Sequence, residues 1–460
     1  MTGRALGDYR KKMPPLGEPV FTDEERRRYY HPANGDPPIF LDPVVSPMGE
    51  TKPAANRATD NWPELGQDAL HGIAGDFVTS CDSYTEADSV AVLLSYLAAA
   101  GATINRGPHV LAGNAHHPAS LFVVLVGQTA KGGKGTSWSV TRSLLEVADP
   151  DFSNSRIMGG FGSGEAVVDA IADKGDDNGS RDSRLLLVEP EFARILRVAA
   201  RDGSTLSMTI RDGWDGYPLQ VRSRSGVVVA KDYHLAAVCH VTLEELRLRL
   251  TDSETYGGFS NRFLFSLVRR TKRLPDGGNV PGEVMADHGH TLAKVLTKAR
   301  GYGRLQRTPE AETLWADLYG KLADDEPGGL LGAVIGRDAP QVLRLALLYA
   351  LLDASHVVDV VHLKAAWAVW TYSRDSAAYI FGDAQADPRV SRLLRAITAA
   401  GTNGLDLTEQ QAAMGRNMKA AELEVIRNTL ERNGVITTSA VTNDETGRTR
   451  RVSRVCAGDS

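Results

Sequence analysis

Residues 121–127 read LFVVLVG, an apolar, valine-rich run cut by glycine. A stretch with no polar alternation offers water no face. It therefore fits a strand buried on both sides, as in a parallel sheet covered by helices. Three further runs have this character: RLLLVEPE at 184–191, YHLAAVCHVT at 233–242 and RFLFSLV at 262–268. Polar or helix-patterned segments separate them. Strands alternating with helices predict an α/β fold with a parallel core sheet.

The segment just after the first run narrows the chemistry. LVGQTAKGGKGTSWSVTRSLLEVA passes from strand to glycine-rich segment to amphipathic helix. Glycines let backbone amides curl around an anion, and a helix N-terminus adds partial positive charge. Lysine neutralises terminal phosphates and a Ser/Thr hydroxyl holds Mg²⁺. Gly127, Gln128, Thr129, Ala130, Lys131, Gly132, Gly133, Lys134, Gly135, Thr136 and Ser137 are thus expected to bind ATP, with Lys134 on phosphate and Thr136 on the metal. The spacing departs from G-x-x-x-x-G-K-[ST]: Lys134 stands seven places after Gly127, and Gly135 separates it from Thr136. The KGT ending resembles nucleoside monophosphate kinase loops, and Lys131 is a rival for the phosphate. The bland alternative is a glycine-rich turn with two exposed lysines.

Phosphate chemistry also needs an acid on a neighbouring strand. RLLLVEPEF supplies Glu189 and Glu191. Period-two alternation would set both carboxylates on one side if extended geometry continued through Pro190. One would then serve the metal and the other orient water. The third strand ends in His240 and Thr242, where a polar group can sense a γ-phosphate, although a lone histidine is more often a core residue. Arg262 sits among apolar residues and is expected to act across a subunit boundary, whereas Arg269 and Arg270 read as solvated.

The chain has 460 residues, too many for one ordinary domain. Hydrophobic residues make up 42% and charged residues 24%, a globular balance. With 52 Lys and Arg against 57 Asp and Glu, any contact with nucleic acid needs a local basic surface. Cys81, Cys239 and Cys456 stand far apart, excluding a cysteine zinc cluster and fitting a reducing cytoplasm. No apolar stretch reaches about 18 residues, so no membrane contact is expected. The first residues lack the apolar core of a signal peptide.

The pattern divides the chain into five regions. Residues 1–65 hold 10 of the 21 prolines and read as an extended arm with one short charged helix near Thr22–Tyr30. Residues 66–118 are helical, with Thr85-Glu86-Ala87-Asp88 as a cap. Residues 119–275 form the ATPase core, 276–385 a helical lid, and 386–460 a winged helix in which LTEQQAAMGRN opens on a threonine cap. DNA is expected at two basic elements: a β-hairpin carrying Arg222, Arg224 and Lys231, and a wing carrying Arg448, Arg450, Arg451 and Arg454. Solvated surfaces or protein docking are the bland alternatives. His116-His117 and His288/His290 are read as loop residues without metal-ligand companions.

Together these pieces resemble the DUF3987-type family of bacterial and phage replication proteins, with a RecA-like helicase-class ATPase often fused to a primase-polymerase domain. The matching segments are ADSVAVLLSYLAAAGATI, LVGQTAKGGKGTSW, FGSGEAVVDAIAD, LLLVEPEFARIL, WDG at 214–216, HVTLEEL, FSNRFLF, VLRLALLYALLD and YIFGD, over about residues 66–385. The resemblance implies a RecA-like P-loop core and ATP-dependent work on DNA, single-stranded DNA above all, in replication of a mobile element. It makes Lys134 and Thr136 the Walker A pair and the acidic strand the Walker B equivalent. An arginine acting in trans requires a neighbour, so a homo-oligomer, in form a hexameric ring, is expected, and a replication or primase partner with it. No segment reads as the primase-polymerase domain, so priming is not expected. The rivals are a small-molecule P-loop kinase, a regulatory or defence ATPase that only switches, and an origin-binding protein with a degenerate nucleotide pocket.

Overall fold

The computed structural model describes residues 62–128, 133–172, 182–223, 226–250, 252–276, 278–382, 388–415, 418, 420–432, 435–442 and 449–456, with the backbone of three earlier strands. The chain divides into two compact units, Met1–Asp60 and Asn61–Ser460.

In the first unit, strands Pro19–Thr22, Arg27–Tyr30 and Ile39–Leu41 form an antiparallel sheet. The helix expected near Thr22–Tyr30 is not formed there: Arg27–Tyr30 is the central strand. Adjacent Tyr29 and Tyr30 favour a pleated surface over a helix, and this outweighs the charge pattern.

In the second unit the elements that matter are helix α1 (Ser89–Ile104), strand β1 (Phe122–Gly127), helix α2 (Lys134–Ala148), strands β2 (Ile157–Met158) and β3 (Arg184–Glu189), helices α3 (Phe192–Ala199) and α4 (Leu206–Asp215), strand β4 (His234–Thr242), helix α5 (Leu243–Arg249), strand β5 (Phe263–Val268) and helices α6 (Asp338–Leu352) and α7 (Val360–Phe381). The five strands form one parallel sheet in the order β5-β1-β4-β3-β2. Strands β1 and β5 are buried at every residue, as their unbroken apolar runs require.

Helix α1 crosses the sheet against β1, β3, β4 and β5. Every residue from Val90 to Ile104 is buried, so this helix is apolar all round and belongs to the core. Asp88 is its N-cap. One carboxylate oxygen accepts from the Val90 N–H at 3.1 Å and the other from the Arg269 N–H at 3.0 Å, joining the helix start to the end of β5. At the free edge of β5, helix α7 supplies side chains where a further strand would supply backbone. Ser373 Oγ donates to the Phe265 carbonyl at 2.9 Å and Tyr372 Oη to that of Leu267 at 2.7 Å, while Ser376 Oγ accepts from the Leu267 N–H at 3.1 Å. Open ladder groups would otherwise invite another chain.

From 276 through α7 the described chain is mostly helical, with the short paired strands Gln306–Arg307 and Val357–Val358. Beyond it, helices Pro388–Ala399, Leu407–Ala413 and Ala420–Arg432 pack with strands Leu405–Asp406, Ile436–Thr442 and Thr449–Val455, which form an antiparallel sheet. Leu393, Ile397, Leu423, Ile426, Leu430 and Ile436 form a small core there, separate from the main one. The cap of the middle helix is Asp406 rather than the expected threonine. Its carboxylate accepts from the Thr408 and Glu409 N–H groups, both at 3.0 Å, and the Glu409 carboxylate accepts from the Asp406 N–H at 2.8 Å. Among the described residues no helix is long and apolar enough to cross a membrane.

Candidate functional site

Parallel strands present all their C-terminal ends at one edge of the sheet, where open α/β sheets place ligands. Gly127, the last residue of β1, lies level with Thr242 of β4 and Val268 of β5, and Glu189 of β3 lies level with Cys239. The sequence-predicted Gly127, Lys134, His240 and Glu189 thus come to one edge from three adjacent strands and the helix after β1. Gln128 is exposed there; Thr129, Ala130, Lys131 and Gly132 lie outside the described residues.

Helix α2 begins at Lys134, and its N-cap Gly133 has φ of 73°. That left-handed conformation suits glycine and disfavours any residue with a Cβ. Lys134 is only 8% exposed, although it lies in the first turn of a helix where a cation meets like partial charge. Burial pushes its ammonium down from the usual lysine range, and the Glu245 carboxylate opposes that. Glu245 comes from α5, capped by Thr242, whose Oγ1 accepts from the Glu245 N–H at 3.2 Å. Gly135 faces open space and Thr136 is half-buried. Ser137 is buried and its hydroxyl donates to the Lys134 carbonyl at 2.7 Å, which leaves Thr136 the better placed hydroxyl for a metal.

His240 is 3% exposed, and among the described residues its buried Nε2 has no hydrogen-bond partner. Burial first, and the Lys134 charge second, push its pKa down to about 4. The ring is therefore neutral at pH 7, and with Nε2 protonated it would offer a buried donor. A buried ammonium and an unpartnered imidazole nitrogen at one sheet edge suit an anionic ligand such as a triphosphate.

The acidic strand departs from expectation. Strand β3 ends at Glu189, and Glu191 has φ −124° and ψ 75°. Proline at 190 has no N–H for the ladder, so the alternation stops and the two carboxylates do not form a same-side pair. Glu191 is exposed at the start of α3, while Glu189 is 4% exposed. Glu189 Oε2 accepts from Arg194 Nη2 at 2.6 Å and Nε at 3.2 Å, and its Oε1 from the Glu191 N–H at 3.2 Å. Arg194 escapes a reading of the sequence; its signal is the Glu-to-Arg spacing of five across a strand-to-helix turn.

Arg262 stands at the opposite edge. It precedes β5, whose far end is level with Gly127, some 20 Å along the strand at ~3.3 Å per residue. Its guanidinium donates to Asp215 at 2.6 Å and is 7% exposed. A buried, ion-paired arginine is not presented to a neighbour, so the expectation that Arg262 reaches across a subunit boundary is corrected. Apolar neighbours in sequence signalled burial, not a trans role.

The expected hairpin forms as Leu219–Ser223 and Gly226–Ala230, with Arg222 and Lys231 exposed. On the C-terminal hairpin Arg451 is exposed, and Arg450 pairs with Asp406 at 3.2 Å. Arg224 and Arg448 lie outside the described residues. His116 and His117 are in a strand, Ala115–Pro118, and His288 and His290 in a helix, Gly282–Ala299, rather than in loops.

One cluster has metal-ligand composition: His71, Asp353 and His362. Asp353 Oδ2 meets His71 Nε2 at 2.7 Å and His362 Nε2 at 3.1 Å. His362 Nδ1 accepts the Asp359 N–H at 2.8 Å, which puts the ring proton on Nε2. That nitrogen then donates to the carboxylate and has no lone pair for a cation. Burial pushes the Asp353 carboxyl up, but the bonds from His362 and His71 outweigh it and hold it below the usual range. The cluster is a helix-end clamp.

No protein-family model matches the chain, and no curated protein matches it.

Proposed function

We propose that the chain is a Mg-ATP-dependent P-loop ATPase with a RecA-like core that works on DNA. The observation that carries the reading is the sheet edge itself. A glycine-ended strand, a buried lysine opening the next helix, a neutral buried histidine on the adjacent strand and an acid one strand further out stand side by side. The order β5-β1-β4-β3-β2 is compatible with a RecA-like core. Gly127, Gly133 and the first turn of α2 would receive phosphates, with Lys134 neutralising them and Thr136 and Glu189 serving Mg²⁺. Bound ATP and Mg²⁺ would supply the phosphoryl chemistry. The protein's part is to hold charge in place and to keep water out around His240.

The C-terminal region, three helices with an antiparallel sheet, reads as a winged helix with Arg450 and Arg451 toward DNA. Arg222 and Lys231 form the second contact. The expected ring of six copies depends on an arginine acting in trans, a part that the Asp215-paired Arg262 does not fill, and a replication or primase partner rests on the family resemblance alone. The test is ATP hydrolysis with and without single-stranded DNA, on the wild type and on Lys134→Ala. Hydrolysis stimulated by DNA and lowered ~100-fold in the variant is the expected result. Equal rates in both proteins would remove the nucleotide site from this edge.

A second reading has its own observation. Glu189 is held by Arg194, so on a second reading its carboxylate serves hydrolysis only after a partner opens that pair. On this reading Arg194→Ala raises the DNA-free rate, whereas a motor that uses Arg194 on phosphate would slow.

A further inference from the structure

The edge of the sheet opposite Lys134 holds an excess of buried positive charge. Helix α4 ends in Trp214 and Asp215, and Gly216 (φ 79°) turns the chain into Tyr217 and the hairpin. Arg344 lies 3.6 Å over the centre of the Trp214 ring, Arg337 at 5.3 Å and Arg262 at 6.0 Å. The Asp215 carboxylate accepts from Arg262 at 2.6 Å and from Arg337 at 2.9 Å. Among the described residues Arg344, 1% exposed, donates to the carbonyls of Ser120 (3.1 Å) and Trp214 (2.8 Å), and Arg106 donates to that of Gly216 (2.8 Å) and lies over the Tyr233 ring. Among the described residues, four guanidiniums thus share one paired carboxylate.

Charge of this kind in a low-dielectric setting favours a counter-anion. Among the described residues, Nε of Arg262, Nε of Arg344 and Nε1 of Trp214 are buried and unbonded, so the positive charge behind the rim is not fully answered from within. Burial pushes the Arg344 guanidinium down to about 9, with Arg337, Arg106 and Arg262 adding to that and Asp215 opposing it. The mouth of the cluster is open to solvent. The Arg337 side chain is 33% exposed, and Tyr217, close enough to influence it, is 62% exposed. From there the chain runs into the hairpin with exposed Arg222 and Lys231.

We propose that Arg337, Arg106 and Tyr217 form a seat for single-stranded nucleic acid. A backbone phosphate sits against the two guanidiniums, and a base stacks on Tyr217. This rests on the reading that the chain acts on DNA, and assigns where the strand lies. The buried Arg344 and Arg262 supply field from behind without touching the ligand. An aromatic face beside a phosphate-binding cation is what sequence-independent strand binding uses. The hairpin extends the basic track, which favours a polymer over a free phosphate.

The test is fluorescence anisotropy of a labelled oligothymidylate on the full chain without nucleotide, at several salt concentrations, for wild type, Arg337→Gln and Tyr217→Ala. Roughly tenfold weaker binding is expected for each variant, with the salt slope lowered by about one in Arg337→Gln and unchanged in Tyr217→Ala. Tyr217 is largely exposed, so that variant decides should Arg337→Gln lose its fold by thermal melt. Wild-type binding left intact in Tyr217→Ala overturns the seat while leaving DNA-dependent ATPase activity standing. No wild-type binding at all overturns the DNA reading as well. Displacement of the oligonucleotide by inorganic phosphate at equal phosphate concentration would show a simple anion site and overturn the nucleic-acid assignment.

Discussion

The two edges of the parallel sheet handle buried charge in opposite ways. At the C-terminal edge, a lysine and a histidine are buried, and the histidine keeps a ring nitrogen open. At the N-terminal edge, arginines crowd around one aspartate and one indole. On the proposed function the first arrangement receives a small, highly charged ligand. The second joins α4, α6 and the approach to β5, and shows only its rim to solvent. Buried charge therefore lies directly at the proposed ligand position in one place, while in the other most of it locks elements together and only the rim, with Arg337 and Tyr217, is left for the proposed strand.

The largest expected effect lies on the assembly side. Asp215→Ala leaves Arg262 and Arg337 without their carboxylate and should lower unfolding free energy by about 3–5 kcal/mol in a denaturant titration. A loss below about 1 kcal/mol would mean that the edge is not held by that ion pair. Next comes acid stability on the ligand side. The His240 pKa is depressed from 6.5 to about 4, so between those values the unfolded chain binds the extra proton. Its contribution is complete above pH 6.5, falls as pH drops, and is lost by pH 4, in all roughly 3 kcal/mol. His240→Gln should flatten that limb in melts from about pH 7 to about pH 4. Lys134→Ala should cost little stability while lowering hydrolysis ~100-fold, equivalent to about 2.7 kcal/mol. The smallest effect belongs to the C-terminal region: exposed Arg451→Ala should shift stability by less than about 0.5 kcal/mol and weaken DNA binding evenly across sequences.

Much of the sheet could be read from the chain because its strands are apolar without alternation, and only a two-sided cover explains that. The expected runs at 121–127 and 184–191 and their neighbours correspond to strands of one sheet. The order was not legible, because β4 reaches its place between β1 and β3 through packing by α1 and α3, which no local pattern encodes. The Glu189/Glu191 pairing failed at a single proline. Arg262 was misread because burial among apolar residues looks the same in sequence whether the partner is Asp215 or another molecule. Arg194 and Glu245 escaped notice because each meets its partner only through a turn that folds a helix back over a strand end.

Helix α1 has a practical consequence. It runs beneath four strands, its cap holds the end of β5, and Glu86 and Ala87 just before it lie beside Gly133. A shortened chain starting at the glycine-ended strand would lack the floor on which that strand rests. Deleting residues 66–118 should therefore yield an insoluble fragment rather than an isolated catalytic module.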